Sequence, residues 1–273
     1  MGIKLLWQEA VLNAFEAFGA RLSDDDSGKY TLLSFAGKDL VINLVSLNND
    51  YEPGELIRLQ DYYRQEGVKL IQLWEDIWAA RNAQVIGRVK SLLGLNKRIH
   101  ARKTKITAIS QAQAAAFLEG NHIQSSASSK HRFALLANDE IVAVACFSGL
   151  MLMKHNKPIG YRSAEVIRFA SLSGFTVTGG FTKLLKHFIA QLAPDDIMSY
   201  ADRDWSDGRV YEQAGFKQVA ITLPSEIHVH PLSLIRYFPH RLPGQSGLIS
   251  TDAGNCDFLK VFNTGNLKYI YYL

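Results

Sequence analysis

Residues 166–216 read VIRFASLSGFTVTGGFTKLLKHFIAQLAPDDIMSYADRDWSDGRVYEQAGF, and this stretch decides the fold that we predict. An apolar run rich in β-branched and aromatic residues ends at Ala170, and the glycine pair Gly179-Gly180 follows it. The next apolar residues recur at the spacing of one helix face. They are Phe181, Leu184, Leu185, Phe188 and Leu192. The pattern predicts a strand, a glycine turn and an amphipathic helix.

The stretch continues with a second strand at residues 197–200 and a short helix that carries Tyr211 to a stop at Gly215-Phe216. Strand, glycine turn, helix and strand in this order point the N–H groups of a helix start at an anionic ligand. A glycine pair is equally typical of a simple turn. Both interpretations of the glycine pair stay open.

These pieces, ending in Tyr-x-x-x-Gly-Phe, resemble the core of the GNAT (acetyltransferase-like) fold. GGFTKLL at 179–185 and SYAD at 199–202 are similar to a phage-associated branch of that fold. The branch includes Mom-like DNA adenine-modification proteins and the C-terminal halves of some phage homing-endonuclease-like proteins. The resemblance covers roughly residues 102–216 and the extreme C-terminus. The chain departs from the usual acyl-CoA-binding loop by Thr176 in place of Arg or Gln, and by Phe181 in place of a second small residue.

The resemblance implies a mixed sheet in which two adjacent strands diverge at their C-terminal ends and leave a crevice. The donor bound there is not identified by the sequence, and acyl-CoA or another anionic donor is expected. The cofactor-binding residues would be those at the helix start, namely Gly179, Gly180, Phe181, Thr182 and Lys183. The candidate acid–base groups are His122, Asp202 and Tyr211. For Asp202, which ends a strand where ligand groups gather, the alternative is a cap on a helix starting near Ser206.

The N-terminal part predicts a helix, two hairpin strands, a helix, a strand and a further helix. Its segment GVKLIQLWEDIW, at residues 67–78, resembles very-short-patch-repair-like nucleases, a branch of the PD-(D/E)XK fold. The metal-binding acids of such nucleases would fall at Thr31 or Leu32 and at Asn43, none of which carries a carboxylate. We therefore predict a degenerate domain that keeps the fold and lacks cleavage chemistry. No metal site is predicted, because the pair His228 and His230 has only Glu226 nearby.

A block of basic residues lies between residues 79 and 118, where there is no Asp or Glu. Its members are Arg81, Arg88, Lys90, Lys97, Arg98, Arg102, Lys103 and Lys105. A charge run of one sign is typical of a polyanion-binding surface, and the alternative is an ordinary solvated face. We predict that the block binds double-stranded DNA through its phosphates. Trp205 could then stack on a base flipped out of the duplex.

The composition is that of a globular protein of 273 residues, with 47% hydrophobic and 21% charged residues and a net charge of +4. No apolar run is long enough for a membrane span, and two cysteines favour reduced thiols and a cytoplasmic location. We predict an α/β chain of two domains. A degenerate PD-(D/E)XK-like domain covers 1–95, a basic linker covers 96–103, and a GNAT-like mixed-sheet domain with an irregular C-terminal extension covers 104–273. The oligomeric state is not predicted.

Three functions follow from these observations. The first is a GNAT-like, acyltransferase-like enzyme that modifies a nucleobase in DNA. The second is DNA cleavage of the homing-endonuclease type. The third is DNA binding without catalysis.

Overall fold

The computed structural model describes residues 6–25, 27–155, 157–239, 242 and 257–273. The chain forms two compact units, and each unit is assembled from separate segments. The first comprises residues within 1–82, 202–207 and 221–266, and the second comprises residues within 83–201, 208–220 and 267–273. The fold is a mixed α/β one, as predicted.

The first unit begins with a helix and a four-stranded sheet. Its elements are α1 (Leu6–Phe15), β1 (Ala20–Asp24), β2 (Thr31–Phe35), β3 (Leu40–Val45), α2 (Pro53–Gln65) and β4 (Lys69–Trp74). The strand order is β1-β2-β3-β4, with β1, β2 and β3 antiparallel and β4 parallel to β3. Every residue of β3 is buried, which is why its sequence, LVINLV, is a continuous apolar run interrupted only by Asn43.

A small C-terminal sheet completes the first unit. It consists of β14 (Glu226–Val229), β15 (Arg236–Tyr237) and β16 (Leu259–Phe262), in the order β15-β14-β16. Ile227 and Val261 are buried in one cluster with Trp74 of β4. The Arg236 guanidinium also forms a two-pronged ion pair with the buried Asp76, with Nε–Oδ2 at 2.6 Å and Nη2–Oδ1 at 2.8 Å. This sheet therefore belongs to the N-terminal core, whereas the sequence placed it with the C-terminal domain.

The helix α3 (Glu75–Leu92) starts in the first unit and continues in the second. Its backbone departs from helical geometry at Arg81 (φ −141°, ψ 29°). No helix among the described residues is long and apolar enough to cross a membrane.

The second unit contains an eight-stranded mixed sheet. Its strands are β6 (Lys105–Ala108), β7 (His131–Ala137), β8 (Glu140–Phe147), β9 (Met151–Leu152), β10 (Arg162–Ser171), β12 (Asp196–Asp202), β13 (Lys217–Ile221) and β17 (Asn266–Tyr272). The order is β13-β17-β12-β10-β8-β7-β6, and β9 pairs with β10. The helices are α4 (Gln111–Asn121), α5 (Gly180–Leu192) and α6 (Arg209–Gln213).

Local sequence signals explain the helices of this unit. Ser110 accepts a hydrogen bond from the Gln113 N–H, and the Gln113 side chain accepts one from the Ser110 N–H, so the predicted capping box starts α4. The apolar face of α5 is buried as predicted, and Leu184 and Phe188 have no exposed surface.

A two-stranded parallel ribbon is an element that the sequence did not predict. It pairs β5 (Lys97–His100) with β11 (Phe175–Thr178), and a turn of 3-10 helix follows β5 at Ala101–Lys103. Residues 96–103, expected to be a linker between domains, are therefore part of the second unit. The division of the chain thus differs from the predicted boundaries at residues 95 and 104.

Candidate active site

The strands β10 and β12 pair over a short distance and then part. The parallel register joins Ser163 to Asp196, Ala164 to Ile197 and Glu165 to Met198. Both strands continue beyond these pairs, β10 to residue 171 and β12 to residue 202. On its other side, β10 has an irregularity in its pairing with β8 between Val166 and Arg168. The paired part of β10 and β12 thus ends before either strand does, which agrees with the predicted divergence.

Hydrogen-bonded hydroxyls bridge the two strands where they begin to part. Ser199 Oγ on β12 donates to the carbonyl oxygen of Val166 on β10 at 3.1 Å. The same Oγ lies 2.9 Å from the Tyr211 hydroxyl of α6. Because Ser199 has one hydroxyl hydrogen, Tyr211 is the donor in the second bond. Burial raises the pKa of Tyr211, so this hydroxyl holds its proton at neutral pH.

Two charged residues of β10 accompany these hydroxyls. Glu165 occupies the last paired position, and its N–H donates to Ser148 Oγ at 2.8 Å. Burial raises the pKa of Glu165, while the nearby Arg168 lowers it. Glu165 and Arg168 also act electrostatically on Tyr211. Sequence analysis missed Glu165, although an acidic residue inside the apolar run SAEVIRFA is a signal that could have identified it.

Each of the two positions in the glycine pair favours glycine for a different structural reason. Gly179 has a positive φ of 76° and precedes α5 as its N-cap. A Cβ on Gly180 would lie 3.0 Å from a Val177 methyl group and 3.2 Å from a Leu135 methyl group. The next three N–H groups, of residues 180–182, are in the first helical turn, where a helix has no internal acceptors.

The side chains at the start of α5 turn towards the protein interior. Phe181 is 5% exposed, and its ring centre lies 5.2 Å from that of Phe169 and 5.5 Å from that of Tyr211. The Lys183 ammonium donates to the Ala101 carbonyl oxygen at 2.9 Å and to the Thr104 carbonyl oxygen. Phe181 thus packs in the core between the divergent strands and α6, and Lys183 holds the turn that follows β5. Thr182 is half-buried.

The basic block lies next to this helix start. The ribbon register joins Arg98 to Thr176 and His100 to Thr178, which directly precedes Gly179. A Cβ on Gly179 would lie 3.7 Å from that of Ala101. All basic residues of this segment are exposed to solvent, namely Lys97, Arg98, His100, Arg102, Lys103 and Lys105.

The other basic residues of the block lie on α3. Arg88 is exposed and Lys90 is half-buried, and both belong to the second unit. Arg81 is at the helix kink and belongs to the first unit.

The structure gives local roles to the remaining predicted site residues. His122 ends α4, and its Nδ1 accepts from the Gln124 N–H at 3.1 Å. Asp202 groups with the first unit, where its Oδ1 accepts from the Asp204 N–H at 3.0 Å. It does not cap α6, whose N-cap is Gly208. Trp205 is buried, with 8% of its surface exposed, and this leaves little of its ring for stacking on a base.

The predicted nuclease positions lie in an apolar core. Asn43 is fully buried, and its Nδ2 donates to Gln72 Oε1 at 2.8 Å. Gln72 Nε2 in turn donates to the Leu56 carbonyl oxygen at 3.2 Å. Leu32, which pairs with Asn43 across β2 and β3, is 6% exposed. Among the described residues, no group of three or more His, Cys, Asp or Glu side chains could hold a metal ion.

Several solved structures similar to this chain are acetyltransferases. The ribosomal-protein-S18-alanine N-acetyltransferase from Escherichia coli is 12% identical, with 62% of this chain and 93% of that chain covered and a TM-score of 0.38. The IAA acetyltransferase from Bacillus cereus is 12% identical over 62% and 99% of the two chains, with a TM-score of 0.36. A GNAT family acetyltransferase from Elizabethkingia anophelis with acetyl-CoA bound is 12% identical over 63% and 99%, with a TM-score of 0.36.

No protein-family model matches the chain, and no curated protein matches it. At the identities and TM-scores given above, the similar structures do not establish a family. A GNAT-like second unit therefore stays a prediction, with which the strand order and the short pairing of β10 with β12 agree. The Mom-like, phage and PD-(D/E)XK resemblances find no support among the similar structures.

Proposed function

We propose that this chain is a GNAT-like group transferase whose acceptor is a nucleic acid. The single observation that carries the proposal is the register of the β5–β11 ribbon, which sets exposed basic residues beside the start of α5. A polyanion lying on the ribbon would come close to the point where β10 and β12 diverge. The nucleic-acid acceptor and the candidate catalytic groups would then lie on the same side of the second unit.

The catalytic groups that we propose are Glu165 and Tyr211. Glu165, with a pKa raised by burial, would take a proton from the acceptor at a carboxylate oxygen. Tyr211, which keeps its proton, would give it from the hydroxyl to the departing group. In the resting structure that proton is donated to Ser199 at 2.9 Å, so the hydroxyl would exchange this hydrogen bond for one to the departing group. We propose these roles in addition to the predicted candidates Asp202 and His122, which accept from the Asp204 N–H and the Gln124 N–H, respectively.

The donor must fit the residues at the helix start. The N–H groups of a helix start and the neighbouring Arg98 and Arg102 suit the phosphates of an anionic donor. The space between the strands does not suit the long arm of acyl-CoA, because Ser199 of β12 bonds to the Val166 carbonyl of β10 there. We therefore propose an anionic donor without assigning acyl-CoA, and we derive no step through it.

A mass measurement tests the transferase. DNA from cells that express the chain would be digested, and the nucleosides would be compared with those from cells expressing Glu165→Gln or Tyr211→Phe. The proposal expects a nucleoside of increased mass that both variants lose while they keep their fold and DNA affinity. If DNA from cells that express the unaltered chain shows no such nucleoside, the transferase proposal fails.

Salt dependence tests the nucleic-acid surface separately. If the five exposed Lys and Arg residues of 97–105 each neutralise one phosphate, log Kobs should fall with log salt at a slope of about −4.5. The triple variant Arg98→Ala, Arg102→Ala and Lys103→Ala should bring the slope to about −2. The matched control replaces Lys154, Lys186 and Lys217, which are exposed elsewhere in the second unit. Equal loss in both triples would mean that the ribbon is an ordinary solvated face.

The second candidate function is nucleic-acid binding without catalysis. It is favoured by the same contact that excludes a long donor arm, namely the hydrogen bond from Ser199 to the Val166 carbonyl. A ribbon-dependent salt slope with no modified nucleoside would support it. DNA cleavage by the first unit is not proposed, because an amide in an apolar core stands at the position of the metal ligand.

A further inference from the structure

A second cluster of functional side chains lies at the opposite end of the divergent strands, where β10 and β12 begin. Three chain segments meet there and are held together by hydrogen bonds that their main-chain N–H groups donate. Asp195 N–H donates to the Arg162 carbonyl oxygen at 2.8 Å, and Arg162 N–H donates to Asp195 Oδ2 at 2.6 Å. The Leu273 N–H donates to the Asp195 carbonyl oxygen at 3.2 Å. Residues 161–162, 195–196 and 272–273 therefore form fixed walls.

A buried carboxylate lies between these walls. The Asp196 side chain is 4% exposed, and its Oδ2 accepts from the Tyr161 hydroxyl at 2.9 Å and from Lys157 Nζ at 3.3 Å. Its Oδ1 is buried and has no hydrogen-bond partner among the residues that the structure describes. An unpaired acceptor on a buried carboxylate is costly. Asp196 therefore has capacity for a further N–H donor.

Two aromatic faces complete the surroundings of the ammonium group. Lys157 Nζ lies 4.2 Å from the ring centre of Tyr161 and 5.6 Å from that of Tyr272. Both distances are within the range of a cation–π interaction. It also lies 3.1 Å from the Tyr161 hydroxyl oxygen. A carboxylate with two aromatic rings is the combination that recognises organic ammonium ions.

The lysine itself comes from a more exposed part of the chain. It lies in the turn that Met153 N–H closes by donating to the Tyr161 carbonyl oxygen at 2.9 Å. The neighbouring residues Lys154 and Pro158 are exposed, and 27% of the Lys157 side chain is accessible to solvent. The Lys157 side chain, which comes from a surface turn, thus occupies a site formed by residues at or next to the ends of strands.

We propose that Asp196, Tyr161 and Tyr272 form a binding site for an alkylammonium group, and that Lys157 is an internal ligand that an external ammonium displaces. The ligand would be a free amine or the lysine side chain of another protein, both of which carry this group. The site does not depend on the proposed transferase. Because Lys157 must leave the site first, only the small fraction of molecules in which it has left can bind the ligand, and the apparent affinity of the intact chain is lowered accordingly.

The test uses n-butylammonium as the probe, because it reproduces the lysine side chain from Cβ to Nζ, and n-butanol as its neutral counterpart. Binding to the full chain would be followed by NMR signals from the rings of Tyr161 and Tyr272. We expect Lys157→Ala to bind n-butylammonium at least about tenfold more tightly than the intact chain. The matched control Lys154→Ala should bind like the intact chain, and n-butanol should not bind. Adding Asp196→Asn to Lys157→Ala should abolish binding while keeping the shape of the side chain.

The intact chain supplies a second readout that requires no substitution. At saturating n-butylammonium, the signals of both tyrosine rings should shift, and n-butanol should leave them in place. A peptide with a single lysine, compared with free n-butylammonium, separates the two sources of the ligand. The proposal is overturned if the ring signals of the intact chain do not respond, or if Lys157→Ala binds no more tightly than Lys154→Ala.

Discussion

The buried carboxyl of Asp204 makes the stability of the first unit depend on pH in an unusual direction. Its Oδ1 accepts from the Thr264 N–H at 2.9 Å and from Thr264 Oγ1 at 2.7 Å. Burial, helped by the negative charge of Asp202, raises its pKa from 3.8 to about 7, against the opposing effects of Thr264 and Arg236. The folded chain therefore keeps a proton on Asp204 over a pH range in which the unfolded chain has released it.

The sign and the size of the effect follow from this difference. Between pH 4 and pH 7 the folded state binds more protons than the unfolded state, so the free energy of unfolding falls as the pH rises. Each pH unit inside this range costs about 1.4 kcal/mol. From pH 5 to pH 8 the loss should be about 3 kcal/mol, because the decline levels off above the folded-state pKa of Asp204.

The substitution Asp204→Asn removes the titration and keeps an oxygen that can accept both bonds from Thr264. Its free energy of unfolding should change little between pH 5 and pH 8, so that its stability relative to the intact chain rises by about 3 kcal/mol over this range. The matched control is Asp25→Asn. Although burial opposes it, hydrogen bonds from Ser27 and Tyr30 lower the pKa of Asp25, so its contribution is lost only when the pH falls through that lowered pKa.

Urea unfolding followed by tryptophan fluorescence is the appropriate assay. All four tryptophans, at positions 7, 74, 78 and 205, belong to segments of the first unit, so the signal reports on the unit that contains Asp204. Unfolding curves at pH 5, 6, 7 and 8 give the slope directly. A flat profile for the intact chain, or the same slope in Asp204→Asn, would refute the assignment of a raised pKa to Asp204.

Three further predictions concern the second unit and can be checked by thermal or urea unfolding followed by circular dichroism. Gly208→Ala should lower the free energy of unfolding by about 3 kcal/mol, because its Cβ would lie 1.9 Å from the Tyr269 hydroxyl oxygen at a φ of 76°. Gly160→Ala, with a φ of 84° and no neighbouring atom near the new Cβ, should lower it by only about 1 kcal/mol. Equal losses in the two variants would contradict the steric reason. Lys183→Met should cost about 2 kcal/mol, since the ammonium donates to two main-chain carbonyls; an unchanged midpoint would show that these bonds contribute nothing. Ser110→Ala should cost about 1 kcal/mol by removing the cap of α4, and Ser110→Thr should restore most of it.

The sequence predicted those elements whose cause is local. The helix α5 follows from its apolar spacing, and α4 follows from the capping box at Ser110. The hairpin of β7 and β8 follows from two apolar runs around Asn138 and Asp139, both of which have positive φ. In each case the residues that decide the structure lie within one element or one turn.

Elements that depend on distant partners were missed. The strand β5 has four residues, and its partner β11 lies more than 70 residues further along the chain. Three of its four residues are exposed, so no periodicity marks it as a strand, and the sequence favoured a linker. The C-terminal sheet was misassigned for a similar reason, because the pairing of Arg236 with Asp76 spans 160 residues.

The candidate site residues were chosen from position along a strand, without knowledge of the surroundings. Asp202 was favoured because it ends β12, and in the structure its carboxylate accepts from the Asp204 N–H. Glu165 was not chosen, because its place as the last paired residue of β10 and β12 depends on a register that the sequence does not reveal.

The glycine pair shows why a glycine motif in the sequence is an ambiguous signal for ligand binding. Gly179 is required by a left-handed backbone, and Gly180 is required by the closeness of Val177 and Leu135. Both requirements arise from folding alone, so the pair by itself does not distinguish a turn from a ligand site. What favours an anion at this place is the ribbon that brings Arg98 and His100 alongside the residues leading into the turn. Charge that folding gathers beside a helix start is stronger evidence for a polyanion than a glycine motif, because neither the turn nor the packing requires it.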